Sequence, residues 1–345
     1  MASRSANLET VPQGELFGQP KGLWVLAPQI KSLYADGDPR ETDAFQYYSM
    51  AILIGVFIAP IVTGGVAALY GWHAGFGVAG VGMVIGLVVY LAGSRHLPPD
   101  GDRRARAASR ASRRALTPRQ RQRVAGLFLL LPVCILFWTA QTQVWNVYNV
   151  WVRDNIDMTV GGFDVPVPWL QSLDGLAPAV IIPLSLWLWA SMAARERPVG
   201  NFRRMIVGLV TFGVATFLLS TAPVAAEGNG RASILLPVAF HVVSNLGFVW
   251  FHPTMVALFA TRSPDTWRGT MLGFNSLAIS AGSLVSGRMG ALYETVSPRD
   301  FWLVNAGLCF AGAAILLVTH GWFRRILARE AEEAEPAILA AKAPA

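Results

Sequence analysis

The sequence predicts an all-α fold, a polytopic helix bundle in a membrane, on three observations. Of 345 residues 53% are hydrophobic and only 14% charged, the mean hydropathy is +0.44, and the apolar runs recur at spanning length. A soluble fold of that composition could not keep its surface wet. About 20 apolar residues, rising about 1.5 Å each, cross the hydrocarbon core. Eight runs qualify, near 46–69, 74–94, 124–151, 168–193, 204–222, 233–260, 269–292 and 301–322. A ninth, weaker candidate at 20–35, PKGLWVLAPQIKSLYA, is short and interrupted by Pro28, and spans only if neighbours cover its polar side. Residues 1–22 hold no apolar signal-peptide core, so the first span is expected to direct insertion.

Arginine placement orients the bundle, because Lys and Arg in short loops stay on the cytoplasmic side. Ten arginines lie from Arg95 to Arg123, and the next basic loops hold Arg195, Arg197, Arg203 and Arg204, then Arg262 and Arg268, then Arg324 and Arg325. The alternate loops YGWHAG, AAEGNGRA and TVSPRD carry none, one and one. The C-terminus is therefore expected in the cytoplasm, with the protein in the plasma (inner) membrane. The expected domains are a partial N-terminal bundle at 1–95, a basic linker at 96–123, a six-helix bundle at 124–325 and a disordered tail at 326–345. The linker has no stacking aromatics and no nucleic-acid module, so it reads as a topology determinant resting on anionic lipid.

No pattern points to an enzyme, a cofactor or a metal. Cys134 and Cys309 each fall alone inside a predicted span. His241 and His252 share a helix face but stand about 16 Å apart along it, too far for one ion. The chain has no GxSxG elbow, no HExxH pair and no phosphate-cradling loop.

The run FWTAQTQVWNVYNVW, Phe137 to Trp151, carries unusual polarity for a span. Thr142, Asn146, Asn149 and Arg153 recur at steps of four, three and four, which predicts one polar stripe on one helix. Lipid cannot satisfy such a stripe, so it faces either a neighbouring helix or a solute cavity. Trp145, Trp151, Trp187, Trp189 and Trp250 read as interfacial anchors or, for Trp145 and Trp250, as cavity walls. Gly269, Gly273, Gly282 and Gly287, among serines, read as a close-packing face.

Specific residues then carry a resemblance. The stretch YYSMAILIGVFIAPIVTGG followed by GWHAGFGVAGVGMVIGL is similar to helices five and six of the proton-dependent oligopeptide transporter (POT) family, through Tyr47, Tyr48, Ile52, Gly55, Ala59, Pro60, Gly71, Trp72 and Phe76. FWTAQTQVWNVYNVW resembles that family's helix seven, PWLQSLDGLAPAVIIPLSLWLW its helix eight, and GFVWFHPTMVALFATRSPDTWRGTMLG its helix ten and exit. The resemblance runs from about residue 20 to 322 and implies a partial major-facilitator fold of about 8–9 transmembrane helices, the family's helices four to twelve. It also implies transport of peptides or another small organic solute by alternating access. The substrate-lining candidates are Thr142, Gln143, Trp145, Asn146, Asn149, Asn245, Trp250, His252 and Asn275. His252 stands where the family usually has serine.

The departures concern charge. The family's helix-four lysine and asparagine fall on Ala27 and Gln29, its helix-seven and helix-ten glutamates on Thr142 and Phe248, and its helix-eleven tryptophan on Asn275. No carboxylate lies between Phe137 and Val152 or between Ile234 and Ala260. Asp174 is the exception and is expected at the outer interface, where a carboxylate is cheap. Proton coupling needs a group that titrates in the membrane. Two readings thus stay open, a diverged transporter or a non-transporting scaffold, binding protein or truncated relic; the latter would need a second copy or a partner to cover a cavity wall left bare of helices one to three.

Overall fold

Seven of the eight apolar runs each hold one long helix, and the run at 124–151 is broken in two. The computed structural model describes residues 33, 40–96, 116–197, 199–226, 230–264 and 267–327. The helices are α1 (Arg40–Tyr70), α2 (Trp72–Gly93), α3 (Pro118–Gln141), α4 (Tyr148–Asn155), α5 (Leu173–Ala194), α6 (Asn201–Ser220), α7 (Leu235–Arg262), α8 (Arg268–Gly290) and α9 (Pro298–Ile326). Among the described residues seven stretches are long and apolar enough to cross a membrane, in α1, α2, α3, α5, α6, α7 and α9. Helix α8 has the length, 23 residues, but Asn275 and four serines make it more polar. The candidate span at 20–35, the centre of the basic linker, the positions Ala27 and Gln29 and the tail beyond 327 lie outside the described residues.

Local chemistry sets the helix starts. Thr117 caps α3 reciprocally: Gln120 N donates to Thr117 Oγ1 at 3.3 Å and Thr117 N to Gln120 Oε1 at 3.1 Å, with Pro118 at the first helical position. Ser297 caps α9, its Oγ accepting from Asp300 N at 3.1 Å ahead of Pro298. Between α1 and α2 the chain turns on Gly71 at φ +87°, a conformation side chains rarely adopt.

The predicted span 124–151 is not one helix. Helix α3 stops at Gln141, Thr142–Trp145 winds as a 3-10 turn, Asn146 sits at φ −108°, ψ −93°, and α4 resumes at Tyr148. Two causes are visible: the Thr142 hydroxyl donates back to Trp138 O at 2.7 Å, a bond that bends helices, and the Gln143 amide leaves the helix to reach Ser286 O on α8 at 2.9 Å. The regular stripe through Thr142, Asn146, Asn149 and Arg153 is therefore interrupted midway. Arg153 ends at the surface on its neighbour Asp154, Nε to Oδ1 2.8 Å.

The described residues fall into two compact units, one within Met1–Ile52 and Gly80–Ala111, the other within Leu53–Ala79 and Ser112–Ala345. In the first, α2 beyond Gly80 exposes Met83, Val84 and Val89, an apolar surface suited to lipid. In the second, α3, α6, α7 and α9 bury one core around Phe137, Leu209, Phe212, Phe251 and Cys309. Phe137 and Phe251 rings lie 4.2 Å apart. A second core joins α4, α7 and α9 through Tyr148, Trp151, Phe240 and Trp302.

Backbone proximity, not the hydrophobic effect, holds such helices together in lipid. A Cβ on Gly208 of α6 would stand 2.8 Å from Gly247 O, and one on Gly247 of α7 would stand 2.7 Å from Gly208 O, so the two glycines are the crossing point. Of the four predicted packing glycines on α8, Gly282 makes a close approach, its Cβ position 2.6 Å from the Trp138 Cβ. Gly269, Gly273 and Gly287 have nothing within 4 Å, which corrects the expectation that all four pack.

Candidate functional site

The buried polar chemistry of the larger unit gathers where α5 meets α7. Asp174 lies in the first turn of α5, and its Oδ1 is 2.8 Å from His241 Nδ1 on α7. Asn245, one turn further along α7, donates its Nδ2 to the same oxygen at 2.8 Å and to His241 O at 2.8 Å. An ionised carboxylate only accepts, so toward one the His241 ring would donate from Nδ1. His241 is fully buried, and the Asp174 side chain is 14% exposed. Asp174 lies at the end of its span, and the pairing of α5 with α7 leaves its side chain partly buried.

Two further elements close the site. The Tyr148 ring of α4 meets the His241 ring edge-on at 5.2 Å and stacks on Phe240 at 5.2 Å. Gly175, beside Asp174, lets α1 come so near that a Cβ there would stand 2.6 Å from Phe57 N and 2.8 Å from Leu53 O. The same stretch of α1 accepts at Ile61 O from Trp169 Nε1 at 3.1 Å, just ahead of α5. His241 Nε2, Asp174 Oδ2 and Tyr148 Oη are all buried without a hydrogen-bond partner among the described residues. Three unsatisfied polar atoms in one place are unusual for packing alone.

The other polar residues lie mainly between helices. Gln143 is fully buried on Ser286 O, and Asn146 reaches the same oxygen at 3.4 Å while lying over Gly290. Gln171, in the 3-10 segment before α5, donates to Val144 O at 3.1 Å and to Asn149 Oδ1 at 3.0 Å. Trp145 is exposed beside them. Trp250 donates Nε1 to Ser185 Oγ at 2.8 Å. His252 stacks on Phe248 at 5.2 Å and meets the Trp138 edge at 5.1 Å. Asn275 accepts from Cys134 Sγ at 3.6 Å. Of the nine predicted lining residues, the structure brings Asn245 to Asp174, groups Thr142, Gln143, Trp145, Asn146 and Asn149 around the break after α3, and leaves Trp250, His252 and Asn275 elsewhere on α7 and α8. Outside the spans, the hydrogen bond from Arg153 holds the Asp154 carboxyl below its usual range.

His241 and Tyr148 were missed by sequence reasoning. The available signal was the step of four from His241 to Asn245, which puts both on one face of α7. No group of three or more His, Cys, Asp or Glu among the described residues could hold a metal ion.

Comparison with known proteins agrees with this architecture. The peptide transporter YePEPT of Yersinia enterocolitica is 24% identical over 85% of this chain and 70% of its own length. A di-/tripeptide transporter of Lactococcus lactis is 24% identical over 86% and 72%. Among solved structures, a peptide transporter POT in complex with sulfate superposes with a TM-score of 0.76 at 20% identity, covering 87% of this chain and 72% of that one. A POT family transporter in complex with 5-aminolevulinic acid gives 0.74 at 18% identity, covering 86% and 73%. A family model matches residues 27–112 and 102–303, nearly the whole helical stretch. By that match, and in keeping with its membrane-spanning helices, the chain belongs to the POT family.

Proposed function

We propose that the protein moves short peptides, or another small solute bearing an amine and a carboxylate, across the plasma (inner) membrane by alternating access, and that Asp174 and His241 couple the movement to protons. The observation that carries this reading is the Asp174–His241–Asn245 cluster. A titratable pair buried between membrane helices is expensive to keep and marks function by default. The relatives named as peptide and di-/tripeptide transporters support the substrate class.

The proton step balances within the pair. One proton adds to the lone pair of His241 Nε2, and the Asp174 carboxylate offsets the imidazolium through Nδ1–H. A solute ammonium that reaches the unpartnered Asp174 Oδ2 competes for the same negative charge, so solute arrival at one face favours proton release at the other. Asn245 holds the carboxylate in place. Thr142, Gln143, Trp145, Asn146 and Asn149 are the proposed polar wall for the solute. The arginine-rich loops, including Arg195–Arg204, are cytoplasmic in this reading, as is the C-terminus.

The test is uptake of labelled dialanine by proteoliposomes of the full chain, with and without an inward proton gradient. Gradient-stimulated uptake above protein-free liposomes is expected. Gradient-independent uptake would remove the proton role and keep the transporter; no uptake of di- or tripeptides by folded protein would overturn the peptide reading.

A further inference from the structure

A second polar constellation lies at the opposite ends of α5 and α7 from Asp174, where neither solute nor proton chemistry has been placed. Helices α5 and α6 both pack on α7, and between them is a cavity of about 270 Å³ lined by Ile182, Ser185, Leu186 and Trp189 of α5, Asn201 and Arg204 of α6, and Val249, Pro253, Thr254 and Ala257 of α7. Ile182 and Leu186 are 38% and 57% exposed, so the cavity opens on the protein surface. Its walls are apolar along most of their length, and its one charge is at the helix ends.

That charge is built in. The Arg204 guanidinium lies over the Trp189 indole, Cζ 3.9 Å from the ring centroid. Trp189 is braced edge-on by Trp250 at 5.5 Å, and Trp250 is fixed by its bond to Ser185 Oγ at 2.8 Å. Stacking occupies the guanidinium face and leaves its N–H edge free. Arg204 Nε and Trp189 Nε1 are both buried with no acceptor among the described residues. Two orphaned donors and an uncompensated positive charge in one cleft call for an anionic oxygen ligand.

We propose that this cleft holds an anionic phospholipid, its phosphate received by Arg204 and Trp189 and one acyl chain laid along Ile182, Leu186 and Val249. Depth and size agree with a lipid. Arg204 lies three residues inside the start of its span at Asn201 and Trp189 five residues before the end of its span at Ala194. At about 1.5 Å per residue these are depths of about 4.5 and 7.5 Å, where an interfacial zone of about 5–8 Å passes into hydrocarbon. From Trp189 back to Ile182 the α5 wall runs about 10 Å. The volume accommodates roughly nine water-sized groups at about 30 Å³ each, which is a phosphate and the first few methylenes of a chain, with the rest of the lipid outside the cleft. Arg195, Arg197 and Arg203, exposed at the same end, raise the local concentration of anionic headgroups. A soluble anion would use the arginine but not the apolar cleft; an acidic peptide would not match its depth.

The experiment is native mass spectrometry of the full chain in detergent, offered equal amounts of phosphatidylglycerol and phosphatidylcholine with identical acyl chains. Wild type is expected to retain phosphatidylglycerol at least fivefold over phosphatidylcholine. Arg204→Ala should abolish the preference, Arg203→Ala should leave it within twofold, and Ala257→Trp, which fills the cleft without touching the charge, should lower phosphatidylglycerol retention several-fold. Should Arg204→Ala not fold, Arg204→Lys keeps the charge without the planar fork and should cut the preference at least threefold. Equal retention of the two lipids by wild type, an unchanged preference in the folded Arg204 variant, or an equal loss in Arg203→Ala would overturn the proposal. Displacement by glycerol phosphate at equal concentration would also overturn it, in favour of a soluble-anion site.

Discussion

Replacing Asp174 by Asn removes a charge from the cluster and almost nothing else. The side chain keeps its shape, and its remaining oxygen can still accept from His241 Nδ1 and Asn245 Nδ2, each now at 2.8 Å. What changes is the strength of those bonds. Hydrogen bonds to an ionised group contribute about 1.5–3 kcal/mol and neutral ones about 0.5–1.5 kcal/mol, so the two together lose about 2 kcal/mol. At about 1.4 kcal/mol per factor of ten, this is roughly 30-fold in the population of the hydrogen-bonded cluster. Asp174→Asn should therefore lower proton-driven accumulation of labelled dialanine in proteoliposomes at least tenfold. Counterflow exchange, which needs no net proton movement, should fall by a smaller factor than accumulation does, and Asp174→Glu should restore part of the accumulation. Accumulation within twofold of wild type in folded Asp174→Asn would refute the assignment of the coupling charge to this pair.

Four further substitutions test the framework. Gly208→Leu places a side chain where Gly247 O already stands 2.8 Å from a Cβ position, and should destabilise the fold by about 1–3 kcal/mol or more in thermal melts, whereas Gly273→Ala, with nothing within 4 Å, should stay within about 0.5 kcal/mol. Gln171→Leu removes the bonds to Val144 O and Asn149 Oδ1 that tie the start of α5 to the break after α3, and should cost about 1–2 kcal/mol, read in the same melts. Thr117→Ala removes the reciprocal cap of α3, with an expected loss of about 0.5–2 kcal/mol. Melts that rank Gly273→Ala with Gly208→Leu would undo the crossing-point account.

The sequence by itself determined the solvent, the number of long helices and their approximate limits, because apolar length and capping residues are local properties that no distant contact alters. It also carried the family resemblance, and it singled out Asp174, Asn245 and the polar residues around Asn146. It did not determine what those residues touch. A helical period tells which residues share a face, but the oxygen of Asp174 is met by a histidine 67 positions away, and only the crossing of α5 on α7 decides that pairing. The same limit explains the glycines: Gly208, Gly247 and Gly282 are indistinguishable in sequence from Gly269, Gly273 and Gly287, yet only the first three lie where two backbones meet. It explains the broken span as well. The composition of 124–151 supports one helix, and the break follows from Ser286 O on α8, which draws the Gln143 amide out of line. Tertiary structure decided these points because in lipid a polar group must find its partner on another helix, and the identity of that helix is set by packing rather than by the neighbouring residues in the chain.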